Sequence, residues 1–284
     1  MEEAIKKADI LIEALPYIKS FHKKITVIKY GGSILGDDRI RKGVLEDIVF
    51  LSYMGLRPVL VHGGGPNISE RMRKSGKKTD FVDGMRVTDA ETLHIVQEEL
   101  EILNKNIVAE ITKLGGKAKS YTATNSSIVI AAKKKAKVDL GFVGKVAGIE
   151  TKELKKDINQ HIVPVISPVG KDEKGVVYNI NADEVAYSVA CFLEAVKFVL
   201  LTNVRGVMRN PEDPGSLLST IKEAEAKQLI EDKVIQEGMI PKIQACFSAI
   251  DGGVFKAHII DAKIPHALLL EVFTNKGIGT EILP

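Results

Sequence analysis

Two stretches of this 284-residue chain run from apolar sequence straight into glycine clusters: Lys29-Tyr30-Gly31-Gly32-Ser33 and His62-Gly63-Gly64-Gly65-Pro66-Asn67. Glycines at such points let backbone N–H groups approach an anion closely, and a following helix N-terminus adds positive potential. Two such loops, one led by a lysine, favour anion binding over ordinary strand-to-helix turns. Neither matches G-x-x-x-x-G-K-[ST] or sits in the G-x-G-x-x-G setting of a dinucleotide fold. The chain is therefore neither a P-loop enzyme nor an obvious dehydrogenase. Lys242, in Gly238-Met239-Ile240-Pro241-Lys242, falls in the first turn of an expected helix. A cation there opposes the helix dipole at a cost of roughly 0.3–1 kcal/mol; a bound phosphate reverses that sign, and a solvated surface lysine explains the position equally well. Asp183 follows Asn181 in what reads as a helix start, with Asn181 as cap and Glu184 three residues on. Local structure alone accounts for it. Arg86, in Asp83-Gly84-Met85-Arg86-Val87-Thr88-Asp89, is a candidate carboxylate clamp because a guanidinium binds carboxylates bidentately, although any surface arginine admits that description. The six histidines show no metal-ligand spacing, so no protein metal site is expected, and no Ser/His/Asp or Cys/His set emerges.

The elements that must position these residues alternate short apolar runs with helical patterns, the signature of an α/β fold with a largely parallel sheet. Residues 25–30 and 57–61 read as strands feeding the two glycine loops, and 40–54 shows helical spacing between them. Pro66 suits a first helical position, where its missing N–H has no partner anyway. A long helix is expected over 89–113, β-type segments over 117–150, a helix at 151–159 and a strand at 161–168. The near-continuous apolar run 196–202 predicts a strand buried on both faces. Helices near 222–231 and 241–251 and strands near 256–260 and 267–273 complete the chain. Residues 2–20 stand apart as an amphipathic helix (Ile5, Ala8, Leu11, Leu15, Ile18) with Pro16 inside it. Proline within a helix removes a hydrogen bond and kinks the axis, and such a helix must pack on its own domain or on another subunit.

Composition bounds the function classes. With 45% hydrophobic and 27% charged residues the chain can bury a substantial core. A net charge of +3, from 40 basic against 37 acidic residues, lacks the concentrated basic stripe of a nucleic-acid binder. The densest basic run, Lys133-Lys134-Lys135 with Lys137, reads as a solvated hairpin tip. Cys191 and Cys246 sit in apolar helical patterns and read as reduced thiols. No apolar run approaches the roughly 18–20 residues of a membrane span, and the acidic start after Met1 is unlike a signal peptide. A cytoplasmic protein without nucleic-acid or membrane partners is expected.

Together the segments KYGGS, VHGGGPN, DGMRVTD, GFVGKV, VISPVG, NINADE, LLTNVRGV, GMIPK and GIGT stand in one order from about residue 25 to the end. In this they resemble the amino acid kinase family, most closely the members that phosphorylate N-acetyl-L-glutamate in arginine biosynthesis. The resemblance implies an αβα sandwich with a mainly parallel central sheet, an acceptor lobe over 22–194, and an ATP lobe over 195–284. It implies MgATP as phosphoryl donor and N-acetyl-L-glutamate as acceptor. Lys29 and Lys242 then match lysines that stabilise the transferring phosphoryl group, and Asp183 the aspartate that orients them. Gly32, Gly64 and Gly65 match backbone donors. Arg86 and Asn179 match the groups that hold the acceptor's carboxylate and amino-acid portion.

Three departures mark this sequence. Asn203 replaces the usual aspartate in Leu201-Thr202-Asn203-Val204, Glu237-Gly238 replaces Gly-Gly, and Thr122-Ala123-Thr124-Asn125 replaces a Gly-Lys-Asp stretch. Arginine-inhibited members carry an N-terminal helix like residues 1–21, which interlaces dimers into a homohexamer. Their L-arginine site corresponds to Tyr17, His258, Glu271, Gly277 and Gly279. Related acceptors, or an inactive arginine-binding regulatory protein, are the competing expectations.

Overall fold

The computed structural model describes every residue except 32, 33, 35, 211, 236, 237, 275 and 276. The chain begins with α1 (Glu2–Phe21), β1 (Ile25–Tyr30), α2 (Asp38–Tyr53), β2 (Arg57–His62) and α3 (Gly65–Lys74). A short hairpin, β3 (Phe81–Val82) with β4 (Met85–Arg86), leads into α4 (Ala90–Lys113) and β5 (Ala118–Tyr121). Then come β6 (Val129–Lys133), β7 (Gly144–Ile149), α5 (Thr151–Asn159), β8 (Val163–Ile166), β9 (Val169–Lys171), β10 (Val177–Asn179) and α6 (Ala182–Phe192). The remainder is β11 (Lys197–Thr202), β12 (Thr220–Lys222), α7 (Glu223–Glu231), α8 (Ile240–Asp251), β13 (Lys256–Asp261), α9 (Ala267–Val272) and β14 (Thr280–Leu283).

Among the described residues the main sheet has eight strands in the order β12-β14-β13-β11-β1-β2-β8-β5. All its pairings are parallel except β13 with β14. Helices cover both faces, so the central strands are apolar almost throughout, as parallel strands must be. Side-chain alternation then sorts each strand between two cores. Val27, Val59, Val61 and Phe198 pack with α6 and α8 on one face, while Ile28, Leu60 and Val199 pack with α2 and α4 on the other. Lys29, two residues after Val27, consequently points to the α6 face. Asp37, Asp89 and Asn181 cap α2, α4 and α6 through their side chains, each cap contributing about 1 kcal/mol.

One expected strand, 267–273, is instead the helix α9. A short apolar run cannot be assigned by periodicity alone, and here tertiary contacts decide. His266 takes a left-handed conformation (φ 55°) that turns the chain. The buried Asp47 of α2 then accepts hydrogen bonds from Leu268 N (3.2 Å) and contacts His266 Nδ1 (2.7 Å), fixing the first turn. The short strands β12 and β14 went unanticipated; β14 is held by pairing with β12 and β13. Pro16 lies inside α1 without ending it. The helix is largely exposed: Ile5, Leu11 and Leu15 of its expected apolar stripe remain open to solvent. No helix among the described residues is long and apolar enough to cross a membrane.

Candidate active site

β1 and β2 are paired in register, Tyr30 opposite His62, so both glycine loops leave the sheet side by side. Gly63 N donates to Tyr30 O (3.0 Å) and Gly31 N to Leu201 O (3.3 Å), which ties the loops to each other and to β11. This is the carboxyl end of the sheet, beside the point where strand order reverses between β1 and β11, the usual ligand position in such folds. Gly64 leaves little room for a side chain: a Cβ there would lie 2.6 Å from Leu100 Cδ2 of α4, so that buried leucine would have to shift. Gly32 lies outside the described residues.

Lys29, aimed at the α6 face by strand alternation, places Nζ 2.8 Å from Asp183 Oδ1 in the first turn of α6. Both side chains are more than four-fifths buried (14% and 19% exposed), so this ion pair is far stiffer than a surface one. Lys242, in the first turn of α8, donates from Nζ to Gly238 O at 2.8 Å. Burial pushes the Lys242 ammonium below its ordinary range; nearby Asp183 opposes the shift and Lys29 adds to it. Two cations around one carboxylate leave the cluster with surplus positive charge. Lys29, Asp183, Gly64 and Gly65 border a cavity of about 380 Å³, and Lys242 borders a second one of about 320 Å³ with Asn203, Gly206 and Met239.

The first cavity also contains Arg86 and Asn179. Arg86 is 7% exposed and lies 4.8 Å over the Phe81 ring. Its Nη2 donates to Ser69 Oγ (2.7 Å) and Gly65 O (3.1 Å), and burial lowers its pKa. No carboxylate pairs with it among the described residues. A buried guanidinium without a counter-ion is costly, and this one lines a cavity. Asn179 Nδ2 donates to Thr88 Oγ1 (3.2 Å), which donates to Arg86 O (2.7 Å), so the two candidate acceptor contacts share one support.

Sequence reading missed several neighbours. Phe81 and Ser69 line this cavity, and so does Lys134 from the basic run read as a hairpin tip. The run divides: Lys133 pairs with Asp139 (3.2 Å), while Lys134 Nζ stands 3.5 Å from Glu184 Oε2. Glu184 is itself anchored by Val146 N (2.8 Å). Alternation beyond β6 was the available signal, but only the packing of α6 on β7 gives Lys134 a direction.

Tyr17, His258, Glu271, Gly277 and Gly279 are brought together elsewhere, around a cavity of about 640 Å³ beneath the end of α1. His258 Nδ1 is 2.6 Å from Glu271 Oε1, Lys197 Nζ is 3.7 Å from the same oxygen, and Lys256 Nζ is 2.7 Å from Glu281 Oε1. Gly277 has φ +62°, and a Cβ there would lie 2.7 Å from Glu271 Oε2. Among the described residues no group of three or more His, Cys, Asp or Glu forms a metal site.

Comparison with known proteins matches residues 24–261 to the amino acid kinase family. The chain is 45% identical to the acetylglutamate kinase of Desulforamulus reducens, covering 100% of this chain and 99% of that one. It is 47% identical to the acetylglutamate kinase of Methanocaldococcus jannaschii, covering 99% and 98%. Among solved structures it resembles the N-acetylglutamate synthase of Neisseria gonorrhoeae complexed with coenzyme A and N-acetyl-glutamate, at 26% identity and a TM-score of 0.87. That likeness covers 98% of this chain but only 63% of the synthase, so the chain spans less than two thirds of that protein. With relatives of this identity matched end to end and a family match over most of its length, this chain belongs to the amino acid kinase family.

Proposed function

We propose that this protein transfers the γ-phosphoryl group of MgATP to the γ-carboxylate of N-acetyl-L-glutamate, releasing ADP and N-acetyl-L-glutamyl 5-phosphate. The observation that carries the reading is the Lys29–Asp183–Lys242 cluster, with Lys29 and Asp183 lining the cavity of Arg86, which has no carboxylate partner among the described residues, and Lys242 lining the second cavity. The acetylglutamate kinase relatives support the choice of acceptor.

A γ-carboxylate, with a pKa of about 4.3, is ionised at neutral pH and needs no general base. Its oxygen attacks the γ-phosphorus, the bond to the bridging oxygen of ADP breaks, and no proton moves. Phosphoryl transfer then requires alignment and charge neutralisation above all. Lys29, held by Asp183, and Lys242 neutralise the transferring group from the two lobes, 22–194 and 195–284. The Gly64 and Gly65 N–H groups add donors. Arg86 takes the acceptor's α-carboxylate and Asn179 its amino-acid portion. Mg²⁺, when bound with the nucleotide, neutralises the β- and γ-phosphates. Asn203, on the wall of the second cavity, faces the nucleotide.

Coupled ADP-release assays across N-acetyl-L-glutamate, glutamate, an N-acetylated aminoadipate, carbamate and UMP test this. N-acetyl-L-glutamate should give the highest kcat/KM by a wide margin. A different preferred acceptor would overturn the substrate assignment, and no ADP release with any would favour an inactive regulatory protein.

The third cavity is assigned to L-arginine as feedback inhibitor. Its buried Glu271 suits a guanidinium, and Lys197 suits the α-carboxylate. The exposed apolar residues of α1 support pairing between dimers into a closed, symmetric homohexamer. Because α1 reaches the cavity through Tyr17 and Phe21, ligand and ring geometry would be linked.

A further inference from the structure

His62 ends β2, immediately before the glycine loop, and is completely buried. Its Nδ1 lies 2.8 Å from the carbonyl oxygen of Gly63, and its Nε2 lies 3.1 Å from Asn104 Nδ2 of α4. Asn104, also completely buried, donates from the same Nδ2 to Val165 O of β8 at 2.9 Å. Only one proton assignment satisfies every contact. The Gly63 carbonyl can only accept, so Nδ1 carries the hydrogen. Nε2 is then a lone pair and accepts one amide hydrogen of Asn104, while the other goes to Val165 O. Burial keeps the ring neutral by pushing its pKa down to about 4.

This arrangement leaves Asn104 Oδ1 buried without a partner. An apolar residue would fill the same space without that penalty, so packing alone does not explain the asparagine. What the pair does is hold one carbonyl. In a trans peptide the C=O and the following N–H point in opposite directions. Pinning Gly63 O toward His62 therefore turns the Gly64 N–H away from the ring. Among the described residues neither the Gly64 nor the Gly65 N–H meets an acceptor, and both glycines border the acceptor cavity.

We propose that His62 and Asn104 are positioning residues, a buried imidazole–amide relay that fixes the Gly63–Gly64 peptide so that its N–H is preset for the transferring phosphoryl group. The proposal rests on the reading of this loop as a phosphoryl cradle. A donor fixed before the reaction costs no reorganisation when charge develops. Its loss therefore appears in kcat rather than in ground-state binding.

Two substitutions of similar size separate this role from packing. His62→Asn retains an N–H donor near the position of Nδ1. His62→Gln places its amide near Nε2 and leaves the Gly63 carbonyl unheld. His62→Gln should lower kcat roughly tenfold, the worth of about one neutral hydrogen bond, with both KM values changed less than about threefold. His62→Asn should recover most of that loss. Asn104→Leu should resemble His62→Gln, because the buried Nε2 then loses its donor and the ring its anchor against the Gly63 carbonyl. Amide spectra of ¹⁵N-glycine-labelled protein supply the second measurement. Adding MgADP and aluminium fluoride, a phosphoryl mimic, should shift the Gly64 resonance in the wild type and His62→Asn, and less in His62→Gln. Equal kcat loss in His62→Asn and His62→Gln, with Gly64 shifting in both, would overturn the relay and leave the cradle standing. A Gly64 resonance unmoved in the wild type would remove the cradle, and the relay with it.

Discussion

The acceptor cavity and the cavity under α1 both contain buried charge, yet they balance it in opposite ways. Arg86 sits among a hydroxyl, a carbonyl and an aromatic ring with no carboxylate beside it among the described residues, and Lys29 and Lys242 together outnumber Asp183. That surplus of positive charge is what the proposed site for a carboxylate and a travelling phosphoryl group requires. Under α1, Lys197 and His258 meet Glu271, and Lys256 meets Glu281. Burial pushes the Glu271 carboxyl up, but His258 and Lys197 outweigh it and hold it below the usual range. A charge set already closed on itself suits a ligand bearing both signs, which must exchange internal pairs for its own. On the proposed assignments, binding there should be coupled to rearrangement, whereas binding beside Arg86 should complete a structure already in place.

The sharpest way to break this contrast is at the cation surplus. Lys29→Ala or Lys242→Ala should reduce turnover ~10²–10³-fold, the effect of roughly 2.7–4 kcal/mol of lost transition-state stabilisation. Thermal unfolding should change little in Lys242→Ala, whereas Lys29→Ala also removes the partner of the largely buried Asp183 and should unfold at a lower temperature. Near-normal kcat under saturating substrates in either variant would remove that lysine from the transferring group.

Arg86→Lys comes next. It keeps the charge but not the bidentate geometry, so the acceptor KM should rise about 10–100-fold, in line with roughly 1.5–3 kcal/mol for hydrogen bonds to a charged group. The KM for ATP should move far less. Equal shifts in both would point to lobe closure instead of acceptor binding.

Histidine titration sharpens the comparison through stability. His62 is buried with no acidic partner among the described residues, whereas His258 has Glu271 to oppose the effect of burial. The folded pKa of His62 is about 4 against an ordinary 6.5, so the native state favours the neutral ring. Its contribution is fully present above pH 6.5 and is lost as pH falls toward 4, amounting to about 2 kcal/mol by pH 5. Urea unfolding between pH 7.5 and 5 should show this loss in the wild type and a flatter profile in His62→Asn. Parallel profiles would assign the acid sensitivity to other groups.

The smallest effect is expected in the self-paired cavity. Glu271→Ala should leave basal turnover unchanged and weaken arginine inhibition about tenfold, near the value of one charge-assisted hydrogen bond. Deleting residues 1–20 should give active dimers insensitive to arginine. Sedimentation and activity assays decide it: a deletion variant that remains hexameric, or fully inhibited, defeats the coupling of α1 to this site.

Much of this was legible along the chain. Two glycine loops after apolar runs were legible as the ends of strands, which do leave the sheet side by side, and β–α alternation gave the parallel sheet, because both signals are local. Asp183 was less legible: Asn181 does cap α6 as expected (Asp183 N to Asn181 Oδ1, 2.8 Å), which by itself fully explained an acid in that first turn. Only the approach of Lys29 across the sheet gives Asp183 a second role. The 267–273 segment was misread as a strand because six apolar and small residues satisfy either period, and the contact that settles it comes from Asp47, 220 residues earlier in the chain. Lys134 looked like part of a solvated run for the same reason: its partner Glu184 lies in another element. Sequence alone thus determined residue chemistry, local backbone preference and the order of elements, all written within a few positions of each other. Tertiary structure alone decided which charges are paired, which stay uncompensated and which backbone donors are left free, because burial and long-range contact depend on how distant segments pack.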